Sequence, residues 1–264
     1  MDIFDDTIKE IKTWSQEIQN EVKARRYEVP APVKRSATSS TLNRKRLNPT
    51  IILKEDTHLE LGHPSVGSCS AALATRDSSF IENGLITLIG PDVPEMEEQQ
   101  NPFAQIALTH CQGDVKGISQ SMDRQLHRSA QSDEYMIRSV PHLIWARVSK
   151  EAAASGFSLF DLGRRLLKGL WYECEGVTGA EIIFVTTSRE HVSVVEDIVK
   201  VARAKLQKIL SFEMKGDDTY ECTASNDCEE CPEQVVCDNI RDVIKLRKGD
   251  RIISFGREAG RESG

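Results

Sequence analysis

Gly84-Leu85-Ile86-Thr87-Leu88-Ile89-Gly90 is the stretch from which the fold is read. A short, nearly continuous apolar run lies between two glycines, and Gly90-Pro91-Asp92 stops it. Such a run, bounded by turn residues, predicts a strand buried on both faces. A strand of that kind needs covering layers, so helices are expected around it.

On either side of this run, strands are predicted at Phe103–Leu108, Leu143–Val148 and Ala180–Val185, with short candidates at Ile51-Ile52-Leu53 and Leu59-Glu60-Leu61. Helices are predicted over 114–128, with 132–139 extending that region, and over 158–173, where Leu159, Phe160, Leu162, Leu166, Leu167 and Leu170 form the inner stripe. Ser149-Lys150-Glu151 reads as a helix start, and Thr187-Ser188 caps a long helix from Glu190 to about Leu210. Strands alternating with helices give an α+β (mixed α/β) domain over 50–215, a central sheet with packed helices.

Ahead of it, Phe4, Ile8, Ile11, Ile18 and Val22, with Trp14 beside the gap, predict an amphipathic helix over 3–23 within an N-terminal segment 1–28. Acidic residues lie early and Lys23, Arg25 and Arg26 late, as the helix dipole favours. The segment 29–49, with Val29-Pro30-Ala31-Pro32 and then Lys34-Arg35 and Arg44-Lys45-Arg46, is a basic linker with little to bury. Two readings of the helix stand: its stripe folds back on its own domain, or it docks on a partner subunit.

The 264 residues suffice for one large domain with appendages, and 39% hydrophobic and 28% charged residues are ordinary for a soluble protein. A net charge of −7 argues against general nucleic-acid binding. No apolar run approaches the ~18 residues of a membrane span, and the acidic start Met-Asp-Ile-Phe-Asp-Asp does not read as a secretory signal. Seven cysteines, an odd number, fit a reducing cytoplasm.

Four of those cysteines, Cys222, Cys228, Cys231 and Cys237, fall within 16 residues as C-x5-C-x2-C-x5-C, inside a segment spanning 216–255. The central C-x2-C turns two thiolates toward one metal or one cluster face, and Pro232 stiffens the turn. An iron–sulfur cluster tolerates uneven spacing and takes four thiolates. A zinc knuckle ordinarily pairs two short hooks, and only one is present. Unligated or redox thiols are the third alternative. A short helix over Asp238–Lys245 is expected to pack this loop down, with a frayed tail over 256–264.

Gly62-His63-Pro64-Ser65-Val66-Gly67-Ser68 has two glycines at phosphate-loop spacing but no lysine after the second, so a turn is favoured over a phosphate cradle. His63 is a loop histidine, and the neighbours His110 and Cys111 do not make a dyad by adjacency alone. Cys69, Cys111 and Cys174 read as small buried residues. Trp145, Arg147, Arg164 and Arg165 are candidates to bind an anionic cofactor by charge and stacking, against a reading as surface arginines around a core tryptophan.

Three segments carry a resemblance. Leu61-Gly62-His63-Pro64, the run from Ile81 through Gly90-Pro91-Asp92 to Glu98, and Trp145-Ala146-Arg147-Val148-Ser149-Lys150-Glu151-Ala152 are together similar to the acetyl-CoA synthase β subunit of the carbon monoxide dehydrogenase/acetyl-CoA synthase complex. The similarity runs from about residue 58 to about residue 248. It implies the middle α+β domain of that family and coenzyme A near Trp145 and Arg147. It also implies a cluster near the cysteines and a larger metalloenzyme as partner, with helix 3–23 as one attachment. The family's cluster cysteines follow C-x2-C-x8-C-x9-C. Here Cys228, Cys231 and Cys237 stand for the first three with a shortened second gap, and the fourth position holds Arg247. Cys222 would supply the missing thiolate from the other side. The family's nickel-site Cys-Gly-Cys does not occur in these residues. The sequence therefore predicts a short relative with a 4Fe–4S cluster on Cys222, Cys228, Cys231 and Cys237, acting as an accessory or electron-transfer subunit. The alternatives are an acyl- or one-carbon-transferring enzyme and a zinc-stapled interaction module.

Overall fold

The computed structural model describes residues 2–31, 52–97, 100–130, 135–140, 143–207, 212–214 and 220–222. They divide into two units, Met1–Arg203 and Ala204–Gly264. In chain order the first unit runs α1 (Asp5–Ile18), β1 (Ala24–Glu28), β2 (Thr57–Leu61), β3 (Ser68–Thr75), β4 (Leu85–Ile89), β5 (Gln100–Asn101) and β6 (Phe103–Cys111). It continues with α2 (Val115–Ala130), β7 (Tyr135–Val140), β8 (Leu143–Ser149), α3 (Lys150–Ala154), α4 (Leu159–Glu173) and β9 (Val177–Val185), and α5 (Arg189–Gln207) begins in it and ends past Arg203. In the second unit, β10 (Phe212–Met214) pairs antiparallel with β11 (Tyr220–Cys222).

Two mixed sheets build the first unit, and the fold is α+β. The larger has the order β1-β4-β9-β6-β3, and the smaller β5-β2-β8-β7. In the larger sheet β4 is parallel to β9 and β6 to β3, while β9 and β6 are antiparallel. All five residues of β4 are buried. Strand parity shows what covers them. On one face, Ile86 meets α4, where Gly163 leaves no room for a Cβ (2.9 Å from Ile86 Cδ1), and Thr109 Oγ1 donates to Met122 Sδ of α2 at 3.2 Å. On the other, Thr75 Oγ1 donates to Asp5 Oδ1 at 2.7 Å and Glu181 meets Lys12, so α1 lies there. Layers on both sides are why the central strands read as continuous apolar runs.

Local signals hold where they are strong. Ser149 and Ser158 cap α3 and α4, accepting from Ala152 N and Asp161 N. Leu159, Leu162, Leu166, Leu167 and Leu170 are fully buried along α4. No helix among the described residues is long and apolar enough to cross a membrane.

Several expectations are corrected. The N-terminal helix stops at Ile18 rather than running over 3–23, and Ala24–Glu28 instead forms β1, antiparallel to β4. Pairing satisfies the backbone groups on one edge of β4, a demand that side-chain periodicity does not report. Of the two readings of the helix, the first describes the stripe: Phe4, Ile8 and Ile11 are fully buried within the first unit. The region 132–139 does not extend α2, because 135–140 pair with β8. Ile52 and Leu53 lie outside any strand. β3, Ser-Cys-Ser-Ala-Ala-Leu-Ala-Thr, was not expected at all, since its small residues carry little strand signal. Residues 32–49 of the linker, Cys228, Cys231, Cys237, the helix expected over 238–245 and the tail lie outside the described residues.

Candidate functional site

β8 alternates cleanly: Ile144, Ala146 and Val148 are buried, and Trp145 and Arg147 face the other way. The register of the smaller sheet sets Glu60 of β2 directly opposite Arg147 and Gln100 of β5 beside Glu60. Three strands therefore present one polar row.

The side chains close a ring. The Arg147 guanidinium lies 4.8 Å from the centre of the Trp145 ring. Its Nε donates to Glu60 Oε1 at 2.9 Å, and its Nη1 to the Ile52 carbonyl at 3.2 Å. Glu60 Oε2 accepts from Gln100 Nε2 at 3.1 Å, and Gln100 Oε1 accepts from Ser65 Oγ at 3.2 Å. Ser65 Oγ is 2.7 Å from His63 Nδ1, and the His63 ring meets Trp145 edge-on, with ring centres 6.2 Å apart. Burial works to raise the Glu60 carboxyl, but hydrogen bonds from Arg147 and Gln100 outweigh it and hold the carboxyl below its ordinary value.

Gly62 makes the ring's geometry available. It sits at φ 71°, and a Cβ there would fall 2.1 Å from the Ile144 carbonyl oxygen. The loop it starts is a turn, as expected: Val66 N and Gly67 N both donate to the His63 carbonyl, and Ser65 N donates to His63 Nδ1. Those N–H groups serve the turn rather than an open cradle.

Of the residues singled out from sequence, the structure brings together Trp145, Arg147 and His63. Arg164 and Arg165 are on α4, over the rings of Phe160 (5.7 Å) and Phe157 (5.6 Å). His110 pairs with Thr178, Nδ1 to Oγ1 at 2.6 Å, and not with Cys111. Cys69, Cys111 and Cys174 are buried and form no disulfide, and burial pushes the Cys111 and Cys174 thiols up. Glu60 and Gln100 were missed. The alternation Leu59-Glu60-Leu61 was the available signal, since it turns Glu60 away from its apolar neighbours.

Among the described residues no group of three or more His, Cys, Asp or Glu side chains is arranged to hold a metal. Of the four clustered cysteines only Cys222 falls on a described backbone position, the last residue of β11.

The family model of the CO dehydrogenase/acetyl-CoA synthase complex beta subunit matches residues 47–192. Among curated proteins, the acetyl-CoA decarbonylase/synthase complex subunit beta of Methanopyrus kandleri is 31% identical over 159 residues, 58% of this chain and 32% of that protein. Subunit beta 2 of Methanosarcina thermophila is 24% identical over 197 residues, covering 70% and 41%. The Archaeoglobus fulgidus subunit beta is 28% identical over 138 residues, covering 51% and 26%. The chain thus spans less than half the length of these relatives. The ring from Glu60 to Arg147 lies inside the matched segment, whereas α1, β1 and the four clustered cysteines lie outside it.

Proposed function

We propose a function that starts from one premise: the chain belongs to the CO dehydrogenase/acetyl-CoA synthase complex beta subunit family. On that premise it is an iron–sulfur subunit that serves a larger metalloenzyme complex by carrying single electrons or by ordering the segment that binds the cluster. The relatives named above are themselves complex subunits, which supports a partner. The observation that carries the reading is the four-thiolate set Cys222, Cys228, Cys231 and Cys237 within 16 residues. Four soft thiolates, with no histidine among them, suit a 4Fe–4S cluster, and a cluster bound there supplies one-electron chemistry. The acidic neighbours Asp227, Glu229, Glu230 and Glu233 would make it harder to reduce.

Preparation without oxygen, followed by assay of iron, sulfide, nickel and zinc, tests this directly. About four irons and four sulfides per chain, lost in Cys228→Ser or Cys231→Ser, is the expected result. Zinc alone, or no metal, would replace the reading with that of a zinc-stapled or metal-free interaction module. Stoichiometric nickel would select an enzyme of acyl or one-carbon transfer.

A second reading has its own observation. Trp145 and Arg147 are stacked on one sheet face, an indole plane beside a guanidinium, which suits the adenine and phosphates of coenzyme A. Saturable coenzyme A binding that is lost in Arg147→Ala is expected, and equal binding by both proteins would remove the site.

A further inference from the structure

Resting on the coenzyme A reading of Trp145 and Arg147, we propose that Glu60 is a built-in competitor for that site, so that only a multiply charged phosphate ligand gains access to Arg147.

The geometry carries it. Arg147 and Glu60 are shielded to a similar degree, their side chains 18% and 16% exposed, and stand 2.9 Å apart. A cation this sheltered, with a carboxylate in contact, presents little net positive field to solvent. An incoming anion does not meet a free guanidinium; it exchanges with a carboxylate already in place. A monoanion gains little by that exchange, because it replaces one negative charge with another. A pyrophosphate or a phosphomonoester brings more charge and more acceptor oxygens to the same donors.

The ring also makes the exchange feasible. When the Glu60 carboxylate leaves Arg147, its Oε2 still holds Gln100 Nε2, and Gln100 is anchored in turn by Ser65. Arg147 keeps its bond to the Ile52 carbonyl and its position beside Trp145. Neither partner is left without a hydrogen bond. Glu60 is therefore a specificity-determining residue that sets what the site rejects.

Calorimetric titration of the full chain with coenzyme A tests this on four proteins: the unmodified chain, Glu60→Gln, Arg147→Ala and the double variant. Glu60→Gln keeps an oxygen for Arg147 and removes the charge, and coenzyme A should bind about fivefold more tightly, the scale of one partly exposed ion pair. The gain should vanish in the double variant. Pantetheine, which lacks the phosphates, should not distinguish Glu60→Gln from the unmodified chain. Glu60→Asp, with its carboxylate drawn back by one carbon, should fall between the two and serves if Glu60→Gln does not fold. Unchanged or weaker binding in Glu60→Gln, with binding still lost in Arg147→Ala, would overturn the competitor role and leave the coenzyme A reading intact. A gain that persists without Arg147, or that pantetheine shares, would also overturn it. Binding absent from every protein, or indifferent to Arg147, would remove the reading itself and the proposal with it.

Discussion

Lys12 on α1 places its ammonium 2.9 Å from Oε1 and 3.0 Å from Oε2 of Glu181, on β9, the middle strand of the larger sheet. The Glu181 side chain is 1% exposed, and its Oε2 also accepts from Glu82 N at 2.7 Å. Lys12 continues to Glu82 Oε1 at 2.9 Å, and Glu82 to Arg26 of β1. One lysine therefore ties the N-terminal helix to a carboxylate in the sheet.

Lys12→Ala should cost about 3–5 kcal/mol, because it strands a buried charge. Burial raises the Glu181 carboxyl, with Lys12 working in the opposite direction. A raised carboxyl favours the neutral folded form, so its contribution to stability is present at acidic pH and fades as pH rises through the raised value. The deficit of Lys12→Ala should accordingly be larger near pH 8 than near pH 5 in urea unfolding. An equal deficit at both would mean that Glu181 does not titrate with folding.

Glu95 makes the opposite prediction. Hydrogen bonds from Arg25 first, then from Asp92 N and Lys23, draw its carboxyl down to about 2. Stability from a lowered carboxyl is present above its ordinary value and is lost as pH falls toward about 2. Glu95 is 40% exposed, so each pair is screened and contributes well under ~1 kcal/mol. Glu95→Gln should leave the midpoint of thermal unfolding little changed at neutral pH and flatten its decline on acidification.

Ser68 joins the two sheets. Its hydroxyl donates to the Ile144 carbonyl at 2.7 Å and accepts from Ile144 N at 2.8 Å, in a buried position. Ser68→Ala should cost about 1–3 kcal/mol, the penalty for weakening buried backbone polar groups. Denaturant unfolding would show it as a lower midpoint with an unchanged slope.

Gly62→Ala places a methyl 2.1 Å from the Ile144 carbonyl at a positive φ. Left-handed strain alone costs about 1–2 kcal/mol, and displacement of β8 adds to it. The variant should unfold earlier and, because β8 carries Trp145 and Arg147, lose any binding at that face. Unaltered thermal unfolding would show that the turn adapts more easily than its geometry implies.

Much of the fold was legible because its signals are local. The run Leu85–Ile89 announces a buried strand, the leucines of α4 repeat with the helix period, and Ser149 and Ser158 mark the helix starts. β1 was not legible: Arg25 and Arg26 read as the basic end of a helix, and only the open edge of β4 makes them part of a strand. β3 was hidden by its alanines and serines, which become strand residues by pairing with β6. At the candidate site, Trp145 and Arg147 stood out by residue type. Glu60, which governs how much charge Arg147 presents, did not, since nothing near it in sequence names its partner.

Which segments are apolar, where the helices begin, and the family to which Gly90-Pro91-Asp92 and Trp145-Ala146-Arg147 point can all be read along the chain, one stretch at a time. Which charges meet is a property of the packed fold. Glu60 and Arg147 are 87 residues apart, and Lys12 and Glu181 are 169 apart. Periodicity and capping are properties of neighbouring residues, and the chain carries them wherever it goes. An ion pair depends on which strands become adjacent and in what register, and that is settled by the packing of the whole sheet.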